Sequence, residues 1–285
     1  SQPEPDAVGL VLDAPLVREL VDQHQAPSAF THDLAGGHLE RAERMSGPAK
    51  RWALVQARRC RAYEQKWTPR YGSVVCMSER ELDQLRKVVP ELPPASVVGN
   101  GADLSAFEGL APDPGEHRVL FAGTMNFEPN VVAADWLVGD VWPHVRARVA
   151  DAQLDIVGRD PLQQTVALGG QHGVTVHGGV PSMRPYYEAA SVCLLPMLEG
   201  GGTRLKLADA FAARRAVVAT ANGATGVDVV DGSQLLIRDS AEEFAAAICE
   251  LLEDDARRGD VATGGNAFAR VELNWSLLGE RYAEQ

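Results

Sequence analysis

Pro196-Met-Leu-Glu-Gly-Gly-Gly-Thr-Arg-Leu-Lys-Leu-Ala-Asp-Ala210 is the stretch that decides the fold. An apolar run at 191–195 ends at its proline, three glycines follow, and the spacing predicts an amphipathic helix over 203–212. A strand that turns through glycine into a helix is a βα junction. The backbone N–H groups at such a helix start have no partner within the helix, and the helix dipole favours an anion there. Arg204 and Lys206 add fixed positive charge within one turn. The pattern therefore predicts a phosphate site at the C-terminal end of a strand, the usual ligand position in an open α/β sheet.

Outward from this junction, short β-branched runs alternate with longer amphipathic segments, which predicts an α/β protein with parallel sheets. In the second half strands are expected at 118–122, 153–157, 174–177, 191–195, 216–219 and 234–237. Helices are expected there at 130–138, 181–189, 203–212, 241–252 and 256–268, with a last amphipathic stretch at 276–283. The first half reads as strands at 7–12, 28–31, 73–76 and 96–98. Its helices are expected at 15–22, at 38–66 with a break near Gly47-Pro48, and at 79–88. The turn-rich segment from Gly99-Asn-Gly-Ala-Asp103 to Ala111-Pro-Asp-Pro-Gly115 separates the halves. The domain organisation expected is 1–110, 116–268, and a closing helix at 269–285. The first domain carries fewer strands than a doubly wound domain usually has, so early βα units are expected to be missing from it.

Composition narrows the function classes. The chain has 285 residues, 45% of them hydrophobic, which suffices for a sizeable core. A net charge of −12 argues against nucleic acid as a partner. That charge is uneven: nine Lys/Arg residues lie between Arg41 and Arg70, opposed only by Glu43 and Glu64. This basic 41–70 region is either a solvated helix face or a surface for anionic lipid or acceptor, a peripheral membrane contact. The four cysteines form no CxxC pair and no His/Cys cluster has ligand spacing, so no metal is called for. The expected location is cytoplasmic, peripheral at the inner membrane face if the basic region serves lipid.

Phe121-Ala-Gly-Thr-Met-Asn-Phe-Glu-Pro-Asn130, Ile156-Val-Gly-Arg-Asp-Pro161 and Gly200-Gly-Gly-Thr-Arg-Leu-Lys-Leu-Ala-Asp209 follow one another in an order that resembles the retaining glycosyltransferase family 4. The likeness is strongest to bacterial members with the GGGTRLK variant. Val98-Gly-Asn-Gly-Ala-Asp103 is similar to that family's interdomain segment, and Ala29-Phe-Thr-His-Asp33 to the strand end that carries its acceptor-side histidine. The resemblance implies a GT-B-like fold of two Rossmann-like domains facing across a cleft, the N-terminal one incomplete. It further implies transfer of a sugar, with retention at the anomeric carbon, from a UDP- or GDP-sugar. The acceptor would be a glycan, a lipid-linked molecule or a small molecule, and no cofactor is required.

The leaving group is a diphosphate whose charge grows as its bond to the sugar breaks, so electrostatic stabilisation dominates the chemistry. Gly201, Gly202, Thr203, Arg204 and Leu205 are the candidates to hold it, with Gly123 and Thr124 approaching from the opposite side. Arg204 and Lys206 lie two apart on a helix and point to different sides. Arg204 is nearer the turn and is the first choice for a side-chain contact. The family's two glutamates eight positions apart correspond to Gly201 and Asp209, so only the second acid is kept, as acceptor for the ribose hydroxyls. Arg159 and Asp160 lie where the base or ribose could be read. His32, ending a strand, would position the acceptor, and Asn130 reads as a capping or first-turn residue. Where relatives carry a basic residue after the Gly123 turn, this chain has Met125-Asn-Phe127, which shifts that duty toward Arg204. A second reading is a module that binds nucleotide sugar without transferring it. A dinucleotide oxidoreductase is excluded because no GxGxxG follows an early strand, and a P-loop because no GxxxxGK[ST] occurs.

Overall fold

The computed structural model describes residues 28–30, 39, 42, 45–110, 114–171, 173–199 and 205–283. Predicted elements at 7–12 and 15–22, His32 and Asp33, and the glycine turn with Thr203 and Arg204 lie outside the described residues. The chain divides into two compact units at Asn100–Gly101, and the terminal helix Trp275–Ala283 groups with the first.

In the first unit, three parallel strands, β1 (Ser28–Phe30), β2 (Ser73–Cys76) and β3 (Ala95–Val97), pair in the order β1-β2-β3. A 21-residue helix, α1 (Gly47–Trp67), links β1 to β2, and α2 (Glu79–Val88) links β2 to β3. Pro48 sits in the first turn of α1, where its missing N–H costs nothing, so the expected break is the start of the helix. α2 opens on a Ser-x-x-Glu signature: the Ser78 hydroxyl accepts from Glu81 N, while a Glu81 carboxylate oxygen accepts from Met77 N at 2.8 Å. Its inward residues Leu82 and Leu85 join Val74, Cys76 and Val89 in a small core.

The second unit holds six parallel strands: β4 (Arg118–Ala122), β5 (Gln153–Val157), β6 (Val174–His177), β7 (Val192–Leu195), β8 (Ala216–Ala219) and β9 (Leu236–Ile237). Their order is β6-β5-β4-β7-β8-β9. The chain thus winds outward in one direction from β4, returns, and winds the other way from β7. The crevice between β4 and β7 is a topological switch point, where loops on the two sides diverge and leave room for a ligand.

Helices cover both faces. Between β4 and β5 a helix was expected only to residue 138; instead α3 (Glu128–Trp136) passes through a π turn, Leu137–Val141, into α4 (Trp142–Arg148). Pro143 explains the widened turn, because its ring would strike the carbonyl four residues back in a regular helix. A short helix absent from the sequence reading, α5 (Gln163–Leu168), follows β5. Then come α6 (Arg184–Ala189), α7 (Leu205–Ala212), α8 (Ala241–Glu253) and α9 (Asp255–Glu272), while α10 (Trp275–Ala283) is the terminal helix grouped with the first unit.

Two apolar layers sandwich the sheet. One runs from Phe121, Met125 and Trp142 to Phe244 and Ile248; the other gathers Leu120, Tyr187, Leu195, Phe211 and Leu235. Gly264 and Gly265 lie within α9 where the segment before β9 and α7 come too close for a side chain. A Cβ on Gly264 would lie 2.3 Å from the Ser233 carbonyl oxygen, and one on Gly265 would lie 2.5 Å from the Phe211 ring. Leu110 is buried and Phe107 packs edge-on against Tyr187 at 5.3 Å, so residues expected to close the first domain belong to the second unit's core.

Candidate functional site

The loops that leave β4 and β5 are fastened together by backbone alone. Gly123 N donates to Val157 O at 2.9 Å, Met125 N to Arg159 O at 2.8 Å, and Leu162 N to Met125 O at 3.3 Å. The approach is so close that a Cβ on Gly158 would sit 1.4 Å from the Gly123 carbonyl oxygen, so only glycine fits there. Asp160 adopts φ +52°, a left-handed conformation that aspartate tolerates better than most residues. Arg159 and Asp160 are both exposed on this loop, and the Arg159 side chain runs beside Gly179.

Against this platform α7 delivers Lys206. Its Nζ donates to Asn130 Oδ1 at 2.7 Å and stands 5.3 Å from the centre of the Phe121 ring. Asn130, only 4% exposed, donates through Nδ2 to the Thr124 carbonyl at 2.9 Å. Gly123 makes the space: a Cβ there would lie 2.7 Å from Lys206 Nζ and 2.9 Å from Asn130 Nδ2. The ammonium is therefore held beside the first turn after β4, across the switch point from its own helix. Asn130 is in the first turn of α3, as its sequence suggests, but its amide does something further: it ties Lys206 to Thr124. The signal for this lay in the absent basic residue at 125–127, which leaves a place for a cation from elsewhere. Arg204, the first choice among the cations, lies outside the described residues, as do Gly201, Gly202 and Thr203; Leu205 opens α7 and is exposed.

One turn along α7, Asp209 is mostly enclosed, and burial pushes its carboxyl up to about 6. No described residue gives this carboxylate a hydrogen bond. Its field helps to raise the neighbouring Tyr187 hydroxyl and the Cys193 thiol, the latter to about 12, burial being the larger cause for both. A mostly enclosed carboxylate that takes no hydrogen bond from a described residue is suited to accept them from a ligand's hydroxyls.

Sequence reading passed over one further polar group. Asp155, buried on β5, accepts from Arg118 of β4 at 2.8 Å and meets His177 Nε2 of β6 at 2.7 Å. Arg118 is raised chiefly by that hydrogen bond. The trio ties three strands side to side and lies on the sheet rather than at its loops. Among the described residues no group of three His, Cys, Asp or Glu side chains could hold a metal ion.

Comparison with known proteins bears on this geometry. Residues 116–254 match the family described as Glycosyl transferases group 1, a span that includes β4, Lys206 and Asp209. A phosphatidyl-myo-inositol mannosyltransferase of Mycolicibacterium smegmatis is 30% identical over 226 residues, covering 76% of this chain and 56% of that protein. Among solved structures, the sucrose-phosphate synthase of Thermosynechococcus elongatus matches with a TM-score of 0.69 at 19% identity, over 90% of this chain and 66% of that one. Anabaena HepE in complex with UDP and glucose matches with a TM-score of 0.67 at 15% identity, over 90% and 70%. These likenesses show the fold, that of GT-B glycosyltransferases with parallel α/β units. The chain spans about half the length of the curated relatives it matches, between 41% and 56%.

Proposed function

We propose that the chain is a glycosyltransferase that moves a sugar from a nucleoside-diphosphate donor to an acceptor, with retention of anomeric configuration, and that its second unit holds the donor. The observation that carries this reading is the convergence of Lys206, Asn130 and the Gly123-Thr124 turn at the switch point between β4 and β7. A fixed ammonium there suits a diphosphate, whose negative charge rises as it leaves the sugar. Because Asn130 sets the position of Nζ before any ligand arrives, little reorganisation opposes that stabilisation.

Each remaining group has a role in this reading. Backbone N–H groups of Gly202 to Leu205 would cradle the phosphates, and Arg204 would add a second cation. Asp209 would accept from the ribose hydroxyls, and Arg159 with Asp160 would border the base. His32 would orient the acceptor. HepE was solved with UDP and glucose, which favours a UDP-sugar, with a GDP-sugar as the alternative. The mannosyltransferase relative is named for a phosphatidylinositol acceptor, which favours a lipid-linked acceptor over a free glycan or small molecule, with the protein peripheral at a membrane.

Titration calorimetry with UDP, GDP and the free nucleosides tests the reading. A diphosphate should bind at least ~10-fold more tightly than its nucleoside, because a charge-assisted contact to Lys206 contributes about 1.5–3 kcal/mol. Equal binding of the two, or none, would sink the phosphate site.

A further inference from the structure

Helix α1 is built inside out. Its buried residues are Ala53 and Ala57, while three of its larger apolar side chains are exposed, Trp52 by 62%, Tyr63 by 56% and Val55 by 45%, and Leu54 and Trp67 are half-buried. A helix that packs on a core normally does the reverse. Positions 52, 55, 59, 63 and 66 recur at spacings of three and four, so Trp52, Val55, Arg59, Tyr63 and Lys66 share one outward stripe. Arg51 and Arg58 flank it, both exposed.

The charge on this face is of one sign. Residues 47–70 contain seven Lys/Arg and one acid, Glu64, whose Oε2 is buried. Arg51, Arg58 and Arg59 make no ion pair with a described residue. Elsewhere this acidic chain pairs its arginines, as in Arg118–Asp155 and Arg238–Asp231. At the C-terminal end of the helix, Lys66 and Arg70 stand 4.9 Å and 4.5 Å from the Trp67 ring, which also lies 6.3 Å from Tyr63.

We propose that this face of α1 docks the protein onto an anionic lipid bilayer, with Trp52, Val55 and Tyr63 entering the interface and Arg51, Arg58, Arg59 and Lys66 among the headgroups. Tryptophan and tyrosine suit that boundary because each has an apolar body and a polar edge. Arginine and lysine reach back to phosphate along their stems while the aromatic rings sit deeper. The net charge of −12 adds direction: an anionic surface repels most of the molecule and attracts this patch, within a range of about 8 Å at physiological salt. The inference deepens the lipid-linked acceptor of the proposed function and rests on that reading for its purpose, though not for the contact itself.

The test is flotation of the full chain with vesicles of phosphatidylcholine alone and of phosphatidylcholine mixed with phosphatidylglycerol, with UDP and GDP binding measured on the same preparations. The chain should float with the anionic vesicles only and be released by salt. Replacing Arg51, Arg58 and Arg59 together by glutamate should weaken vesicle binding by at least ~10-fold, since each cation near the surface contributes on the order of fivefold. Lysine at the three positions should retain it. Trp52→Ala should weaken vesicle binding several-fold, and Trp52→Phe should remove most of the lipid-induced blue shift of tryptophan emission. Nucleotide binding should be the same in all of these variants, which shows that they are folded and separates this inference from the donor site. Absence of anionic vesicle binding by the parent chain, or equal binding by the glutamate variant, overturns the proposal. So does a parent chain that is dimeric without lipid and becomes monomeric in the glutamate variant, a result that would assign the face to a second copy.

Discussion

Two groups of cations in this protein are handled in opposite ways. Lys206 is held: its ammonium is fixed by Asn130, set over an aromatic ring and admitted by a glycine that leaves it room. Arg51, Arg58 and Arg59 of α1 are exposed and make no ion pair with a described residue. A held cation pays its ordering entropy during folding and can discriminate one anion geometry. Loose cations lose entropy only on contact and suit a diffuse field of many charges, where position matters less than number. The contrast argues for two anionic partners of different kinds, one small and fixed, the other extended.

The largest effect expected is at the platform beneath the held cation. Gly158→Ala places a carbon at 1.4 Å from the Gly123 carbonyl oxygen, so the β4 and β5 loops must separate. A loss above about 4 kcal/mol is expected, the range of severe backbone clashes, seen as failure to fold or a collapse of thermal stability. A wild-type melting curve for this variant would mean that the two loops are not held as described. Next is Lys206→Ala, which should weaken diphosphate binding by ~10- to 100-fold and leave nucleoside binding unchanged in calorimetry. Lys206→Arg should be nearly as damaging, because the space beside Gly123 is cut for an ammonium. Lysine at 51, 58 and 59 should be tolerated. Were the arginine swap harmless at 206, the distinction between held and loose cations would fail.

Asn130→Ala should have a smaller effect, ~5- to 10-fold on diphosphate affinity, through one lost hydrogen bond of about 1 kcal/mol. Raising salt should recover none of it. The smallest effect is on pH dependence. The Asp209 carboxyl is raised from 3.8 to about 6 in the folded chain, so the unliganded fold is relatively most stable below 3.8 and loses that increment as pH rises toward 6. Ligand hydroxyls favour the ionised form, so nucleotide binding should tighten several-fold as pH rises through about 6. Asp209→Asn should flatten that profile relative to the parent protein, and an unchanged profile would remove Asp209 from the ribose contact.

Much of the second unit was legible in the sequence because its central strands β4, β7 and β8 are largely buried and read as apolar runs, while β5 and β6 keep enough apolar positions to stand out between turns. The strand ranges 118–122, 153–157, 174–177 and 216–219 agree with the structure to the residue. Helix ends were less legible where proline misled. The run at 130–138 continues to Arg148 because a π turn absorbs Pro143, and α5 carries too few apolar residues to register. At the site, Asp209 stood out in the sequence through its place on the helix after the glycines, which themselves lie outside the described residues. The Lys206–Asn130 bond did not, since it joins residues 76 positions apart and depends on the empty space at Gly123. On α1 charge was visible in the sequence, but the outward turn of Trp52 and Tyr63 was not: a helix pattern gives spacing and leaves open which stripe faces the core.

The paired glycines of α9 carry a consequence for how the chain reaches this structure. The segment Ala262-Thr-Gly-Gly-Asn-Ala267 is a poor helix former, each glycine costing about 1 kcal/mol relative to alanine. The helix is regular there because Ser233, Gln234 and Phe211 press against it. In isolation those turns would melt, so α9 is expected to coil only after β8, β9 and α7 have assembled. Its central amides should then be the slowest in the helix to gain protection during refolding, a clock for the completion of the second unit.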